Sequence, residues 1–390
     1  MLERIVIVGA GQGGLQAAIS LRQDGFAGSI TLIGAEDGLP YQRPPLSKAY
    51  LKSGDAEALR LRPAAFYDTA DIALVTGVWI DRIDRLARMV HAGGQAWPYD
   101  HLILASGTRN LRPPIPGLAR ALDLRTLDDA VRLRGALDSP KRCAVIGGGF
   151  IGLEFAAVAA GLGHDVTVAE AAPRLMARVL SPQMSDRFAA LHRGLGTELH
   201  LDALVTEVTD DGILLRDGTA IAADIVLLAA GVVPNDSLAR DAGLDVANGV
   251  VVDAQLRTSD SAISALGDCA VFPDPVTQRP VRLESVQAAT DHARLIARRL
   301  VGGADDAYAA VPWFWSDQAD AKLQIAGLAT PQDDAVTGPD GSVWRFAGNR
   351  LSAVETVNAA RTHMQARKRM ALGPVDKAAL IAADFDLTAV

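Results

Sequence analysis

Two stretches of the chain share one pattern of apolar and polar positions. Each begins with consecutive apolar residues, breaks into glycines, and resumes as an apolar segment with helical spacing. In the first, Ile5–Val8 leads into Gly9-Ala10-Gly11-Gln12-Gly13-Gly14, and a helix is predicted from about Leu15 to Gln23. In the second, Ala144–Ile146 leads into Gly147-Gly148-Gly149, and a helix is predicted near Phe150–Ala160 with Gly152 inside it. Short apolar runs without alternation read as strands buried on both faces, as in parallel sheets. Second strands at Ile30–Ile33 and Val166–Ala169 complete a β-α-β unit in each half.

Both turns carry glycine at the three positions of G-x-G-x-x-G. The first permits the tight turn, the second lets the backbone approach a pyrophosphate, and the third lets helix and strand pack closely. The helix N-terminus then offers unpaired N–H groups to the anion. An acid roughly 20 residues further on is expected to hold the ribose hydroxyls. Glu170, 23 residues after Gly147, fits that spacing. In the first unit the candidate is Glu36, although Ala35 stands where the acid is preferred. A carboxylate at Glu170 repels a 2′-phosphate and favours NADH over NADPH, while Arg174 and Arg178 nearby pull the other way.

The remaining pattern supplies the scaffold. Strands are predicted at Leu102–Ala105, before Ser106-Gly107-Thr108, and at Ile225–Ala230, before Gly231. Asp211-Gly212 and Asp217-Gly218 read as hairpin turns. Ile263–Leu266 runs into Gly267-Asp268, and an amphipathic helix follows Leu283–Val286 to about Leu300. Beyond Pro312 the texture changes to short alternating runs, a small α+β domain without a dinucleotide motif. Tyr41–Lys48, with Pro44 and Pro45, reads as a stiff extended loop, and from its residues alone Lys48 reads as a solvated turn lysine. Arginine and proline between Arg109 and Gly117 mark a linker.

Composition narrows the class. With 390 residues, 49% of them hydrophobic, the chain can bury the cores of two or three domains. A net charge of −8 argues against general nucleic-acid binding. The two cysteines, Cys143 and Cys269, can build neither a disulfide framework nor a thiolate metal cluster, so a reducing cytoplasm is expected and no metal site. The longest apolar run, Ile225–Val233, is too short to span a bilayer, and the N-terminal apolar run reads as a buried strand rather than a signal peptide. Two dinucleotide units without a redox dithiol or metal make a flavin and a nicotinamide nucleotide the economical pairing.

The chain resembles the putidaredoxin reductase family, flavin-dependent ferredoxin reductases of bacterial oxygenase systems. The resemblance spans nearly the whole length. It rests on Gly9–Gly14, Arg43-Pro44-Pro45-Leu46-Ser47-Lys48, Leu124–Ala130, Gly147–Glu154, Gly267-Asp268-Cys269-Ala270, Glu284-Ser285-Val286 and Trp313-Phe314-Trp315-Ser316-Asp317-Gln318. It implies two Rossmann-like dinucleotide-binding domains in a glutathione-reductase-like three-domain plan, plus a small α+β C-terminal domain. Residues 1–108 and 233–310 would bind FAD, 109–232 would bind NADH, and 311–390 would form an interface domain. By the same resemblance FAD is held by Gly9, Gly11, Gly13, Gly14, Glu36, Arg43, Lys48, Ile80, Arg125, Asp268, Val286 and Trp315. NADH is held by Gly147, Gly149, Phe150, Ile151, Gly152, Glu170 and Gly231. Phe150 is expected to be a ring that moves aside for nicotinamide, its bland alternative being core packing. Lys48 and Glu154 are implied as the catalytic pair beside flavin N5.

The implied partner is a 2Fe-2S ferredoxin serving a haem-thiolate monooxygenase or a Rieske dioxygenase, with the reductase a monomer or weak homodimer that binds neither nucleic acid nor membrane. Gly327–Ser342 is several residues shorter than in the family, and this falls where partner and dimer contacts are made. Disulfide reductases are excluded because there is no redox cysteine pair just after the first helix and no cysteine in the Tyr41–Pro45 region. An NADH oxidase, a monodehydroascorbate reductase or a rubredoxin reductase fits the same scaffold. So does a flavoprotein switched by NADH and acting through protein contacts. The basic run Arg361–Arg369 serves as an acidic-ferredoxin patch or, more commonly, as a solvated helix face.

Overall fold

The computed structural model describes residues 2–390, which divide into two compact units. The first comprises Met1–Gln42, Glu57–Arg109 and Val232–Ala310. Its centre is a five-stranded parallel sheet ordered Ile263–Ala265, His101–Leu104, Arg4–Val8, Ser29–Ile33 and Ile72–Val75. Ile5, Ile7, Ile30 and Leu32 are fully buried, as strands covered on both faces demand. The first helix runs Gln12–Gln23, three residues longer at its start than its apolar spacing predicts. Those added residues are Gln12, Gly13 and Gly14, and the poor helical propensity of the two glycines is outweighed by packing. A Cβ on Gly13 would lie 2.4 Å from the Leu266 side chain and 3.3 Å from Ala289. Only glycine lets this helix settle against the helix Val286–Gly302.

The second unit comprises Arg43–Ala56, Asn110–Gly231 and Val311–Val390. It holds a parallel sheet ordered Glu198–His200, Asp165–Ala169, Arg142–Ile146 and Ile225–Leu228. The two Asp-Gly turns join Val205–Val208, Gly212–Leu215 and Ala220–Ala222 into the antiparallel hairpins their chemistry predicts. Residues 313–357 form a five-stranded antiparallel sheet ordered Trp313–Gln318, Ala321–Gly327, Arg350–Val357, Val343–Ala347 and Asp334–Thr337. Along its first strand the side chains alternate. Ser316 and Gln318 are buried toward the helices Phe150–Gly161 and Pro182–Gly194, while Trp313 meets His363 and Arg367 of the helix Ala360–Ala371.

One local expectation changes. Pro44–Ser47 is not extended but a short 3-10 turn, leading directly into the helix Ala49–Ser53. Proline in the first helical turn loses no hydrogen bond there, and its fixed φ is already helical. The double proline therefore starts a helix here rather than forbidding one.

Candidate functional site

The two glycine turns are built alike, residue for residue. Gly9 and Gly147 both have φ +112°, which L side chains rarely adopt, and a Cβ on either would strike the carbonyl of Ala105 or Ala229 at 2.1 or 2.4 Å. Gly14 and Gly152 pack so closely on their own turns that a Cβ would lie 1.8 Å from the Gly9 oxygen or 2.3 Å from the Gly147 oxygen. At Gly11 and Gly149, by contrast, a Cβ would meet nothing within 4 Å. Both residues are extended and begin helices that no side chain caps. Backbone donors face open space at the positive end of a helix, a cradle that fits a pyrophosphate. Gly231, with φ +101° and open space at its Cβ, ends the neighbouring strand, and Ile151 is 43% exposed on the first turn of the second helix.

The acids differ between the units. Glu170 directly follows its strand and accepts from Gly148 N at 2.6 Å and Ala172 N at 2.7 Å. The equivalent place in the first unit is Gly34, where a Cβ would lie 2.8 Å from the Ala10 methyl. No acid fits there, and Glu36 comes two residues later, accepting from the Tyr41 hydroxyl at 2.5 Å. Arg174 spends its guanidinium on its own loop, donating to Leu180 O at 2.7 Å, Ser185 Oγ at 2.8 Å and Ala177 O at 2.8 Å.

Elsewhere in the first unit, Asp268 sits in a 3-10 turn beside the Thr108 hydroxyl. Gly267 N, next to it, donates to Nδ1 of His292 at 3.2 Å. Val286 is the first residue of a long helix whose cap, Ser285, accepts from Ala288 N at 3.1 Å. Ile80 is a core residue, 6% exposed. In the second unit Arg43 donates to the Arg125 carbonyl at 2.7 Å, and Arg125 N in turn donates to Asp129 at 3.1 Å. Trp315 lies 5.5 Å from Trp313 in an aromatic row, and Phe150 rests on Phe314 with ring centres 4.6 Å apart.

Lys48 is not the solvated lysine its neighbours suggest. Its side chain is 19% exposed and its ammonium lies 2.6 Å from Oε2 of Glu154, itself 2% exposed. It also donates to Pro44 O at 3.1 Å. Ser47, 2% exposed, donates to the same Oε2 at 2.5 Å, and Ser316 donates to Oε1 at 2.7 Å. A carboxylate this deep needs several donors around it, and here it has three. Ser47 and Ser316 stood inside two of the motifs quoted above without a role. Their signal was a small hydroxyl beside bulky or charged neighbours.

The cysteines are inert. Both are free and buried; burial pushes the Cys143 thiol up to about 11 and raises that of Cys269 as well.

A profile described as pyridine nucleotide-disulphide oxidoreductase matches residues 3–293, and one described as reductase C-terminal matches 313–390. The chain belongs to the pyridine nucleotide-disulphide oxidoreductase family. It is 48% identical to rhodocoxin reductase of Rhodococcus erythropolis, over 98% of this chain and 93% of that one. Among solved structures it resembles the ferredoxin reductase for the CYP199A2 system of Rhodopseudomonas palustris, with 42% identity, a TM-score of 0.95 and full coverage of both chains. It also resembles the covalent putidaredoxin reductase–putidaredoxin complex, with 37% identity, a TM-score of 0.93, and 98% of this chain and 96% of that one covered. As a member of the pyridine nucleotide-disulphide oxidoreductase family it is an oxidoreductase of flavin and pyridine nucleotide, built on the two-turn plan its sequence announces. It lacks the thiol pair of the family's name, having no cysteines but two buried ones. Among the described residues no helix is long and apolar enough to cross a membrane.

Proposed function

We propose that this chain is an FAD-dependent reductase that takes electrons from NADH and passes them to a 2Fe-2S ferredoxin, which supplies a monooxygenase or a Rieske dioxygenase. The observation that carries the reading is the shielded Lys48–Glu154 pair, held in the same unit as a turn shaped for a pyrophosphate. On this reading residues 1–108 and 233–310 bind FAD, 109–232 bind NADH, and 311–390 serve the protein partner. The protein works in the cytoplasm as a monomer or weak homodimer.

A bound flavin supplies the exchange between hydride chemistry and the one-electron chemistry of an iron–sulfur protein. The chain's residues bind and aim. Gly9, Gly11, Gly13 and Gly14 cradle the FAD pyrophosphate and Glu36 its ribose. Asp268 accepts from flavin-side hydroxyls, and the helix beginning at Val286 directs its positive end to developing negative charge. Ile80, Arg43, Arg125 and Trp315 complete the expected flavin contacts. Gly147, Gly149, Ile151, Gly152 and Gly231 seat NADH, with Phe150 as the ring that yields to nicotinamide. Glu170 accepts the adenosine ribose hydroxyls, and with Arg174 already engaged, a 2′-phosphate finds a carboxylate there. Lys48 holds a fixed positive charge whose direction Glu154 sets, so little reorganisation is needed during hydride transfer.

The test is NADH oxidation coupled to cytochrome c. Rapid turnover only when a 2Fe-2S ferredoxin is added supports the proposal. Equal turnover without ferredoxin, or NADH-reduced enzyme that passes electrons to no ferredoxin, overturns it.

A further inference from the structure

We propose that Ser316, backed by Gln318 and His192, is a positioning residue for Glu154, fixing one carboxylate oxygen so that the other presents Lys48 in a single direction. This rests on the reading that the Lys48–Glu154 pair acts in hydride transfer.

The hydrogen-bond directions follow from the chemistry of each group. A carboxylate only accepts, so the single hydroxyl hydrogen of Ser316 points at Glu154 Oε1, 2.7 Å away. Only lone pairs of Ser316 Oγ then remain, and they accept from the Gln318 amide nitrogen at 3.2 Å. That nitrogen also faces the Met176 sulfur at 3.7 Å. The reversed amide would set its oxygen against lone pairs on both sides. The Gln318 oxygen therefore faces His192, whose Nε2 lies 2.9 Å away and donates to it. The donors run one way, from His192 through Gln318 and Ser316, and end on Glu154.

Burial makes this directional chain rigid. Ser316, Gln318 and His192 are each wholly buried, and burial lowers the affinity of His192 for a second proton. A neutral imidazole with its hydrogen on Nε2 is the form that the Gln318 oxygen requires. The helix carrying Glu154 is otherwise apolar on its buried faces, from Leu153 and Phe155 to Ala159. Polar side chains are costly in such a layer unless each is satisfied. Here two alternate residues of one strand bring them in: Ser316 ends on the carboxylate, and Gln318 reaches it through Ser316. Oε1 is thereby taken, which leaves Oε2 to Ser47 and Lys48.

The experiment is stopped-flow reduction of the FAD-loaded enzyme by NADH, in the wild type, Ser316→Ala, Glu154→Gln and the double variant. Removing one hydrogen bond to a buried charge is expected to slow flavin reduction about tenfold in Ser316→Ala, with the NADH dissociation constant within about twofold. The double variant is expected to be no slower than Glu154→Gln, because the hydroxyl works only through that carboxylate. Ser316→Thr, which keeps the hydroxyl, is expected to restore most of the rate. A wild-type rate in Ser316→Ala, additive slowing in the double variant, or a threonine variant as slow as alanine overturns the proposal. If Glu154→Gln itself reduces at the wild-type rate, the catalytic reading of the pair fails, and the positioning role fails with it.

Discussion

Glu170 accepts the backbone N–H of Gly148 at 2.6 Å, while its other oxygen accepts from Ala172. The acid is thus anchored to the glycine turn itself, and the charge that a ribose would meet is fixed in place. Glu170→Ala is expected to lower the preference for NADH over NADPH roughly tenfold, the scale of one charge-assisted hydrogen bond. The ratio of kcat/KM for the two nucleotides measures it. Arg174→Ala is expected to leave that ratio unchanged, because its guanidinium braces the loop 174–185.

Removing the lysine strands its partner. Lys48→Met leaves Glu154 buried without its counter-charge, which is expected to cost about 3–5 kcal/mol of stability. Flavin reduction by NADH is expected to slow at least tenfold while FAD stays bound. Adding Glu154→Gln to Lys48→Met is expected to restore much of the denaturant midpoint without restoring the rate. Denaturation curves and stopped-flow traces on the same preparations separate the two effects.

The glycines of the second turn are not equivalent. Gly149→Val places its side chain in open space on an extended backbone, so the melting temperature is expected to hold while NADH binding weakens more than tenfold. Gly147→Ala forces a Cβ within 2.4 Å of a carbonyl at φ +112°, and is expected to destabilise the chain. Thermal melts with NADH titrations check both.

Four buried histidines, His192 among them, resist protonation. Burial holds His101 and His292 at about 3 and His363 at about 4, against an ordinary value of 6.5. The unfolded chain binds protons that the folded chain refuses, so their contribution is complete above about pH 6.5 and is lost as pH falls from there toward 4 and 3. Each fully buried histidine adds a slope of about 1.4 kcal/mol per pH unit within that window. Asp100 and Asp224, held down to about 2 mainly by Arg4 and Arg142, act in the same direction only below the ordinary carboxylate value of 3.8. The urea midpoint is expected to drop between pH 7 and pH 5, less steeply in His292→Gln.

The glycine turns were legible because they demand a residue type. Positive φ and sub-contact approach exclude every side chain, so Gly9, Gly14, Gly147 and Gly152 announce themselves locally. The environment of Lys48 was not legible from its neighbours. What removes it from solvent is Glu154, 106 positions along the chain, and no local pattern carries that pairing. The pairing of Gln318 with His192 is hidden for the same reason, the two being 126 residues apart. The helical turn at Pro44 is hidden in the sequence because proline is excluded from helix interiors but welcome in first turns.

Glu355, 1% exposed, binds Arg345 at 2.8 Å and accepts both the N–H and the hydroxyl of Ser181, the cap of the helix Pro182–Gly194. The cap of that helix is therefore completed by an acid from the C-terminal sheet. A graft of residues 313–390 from a relative would carry that acid away, along with the hydroxyl at Ser316. Such chimeras will keep their folded core only when the donor segment brings its own answer to Ser181, which makes the boundary at residue 312 a seam in sequence and not in chemistry.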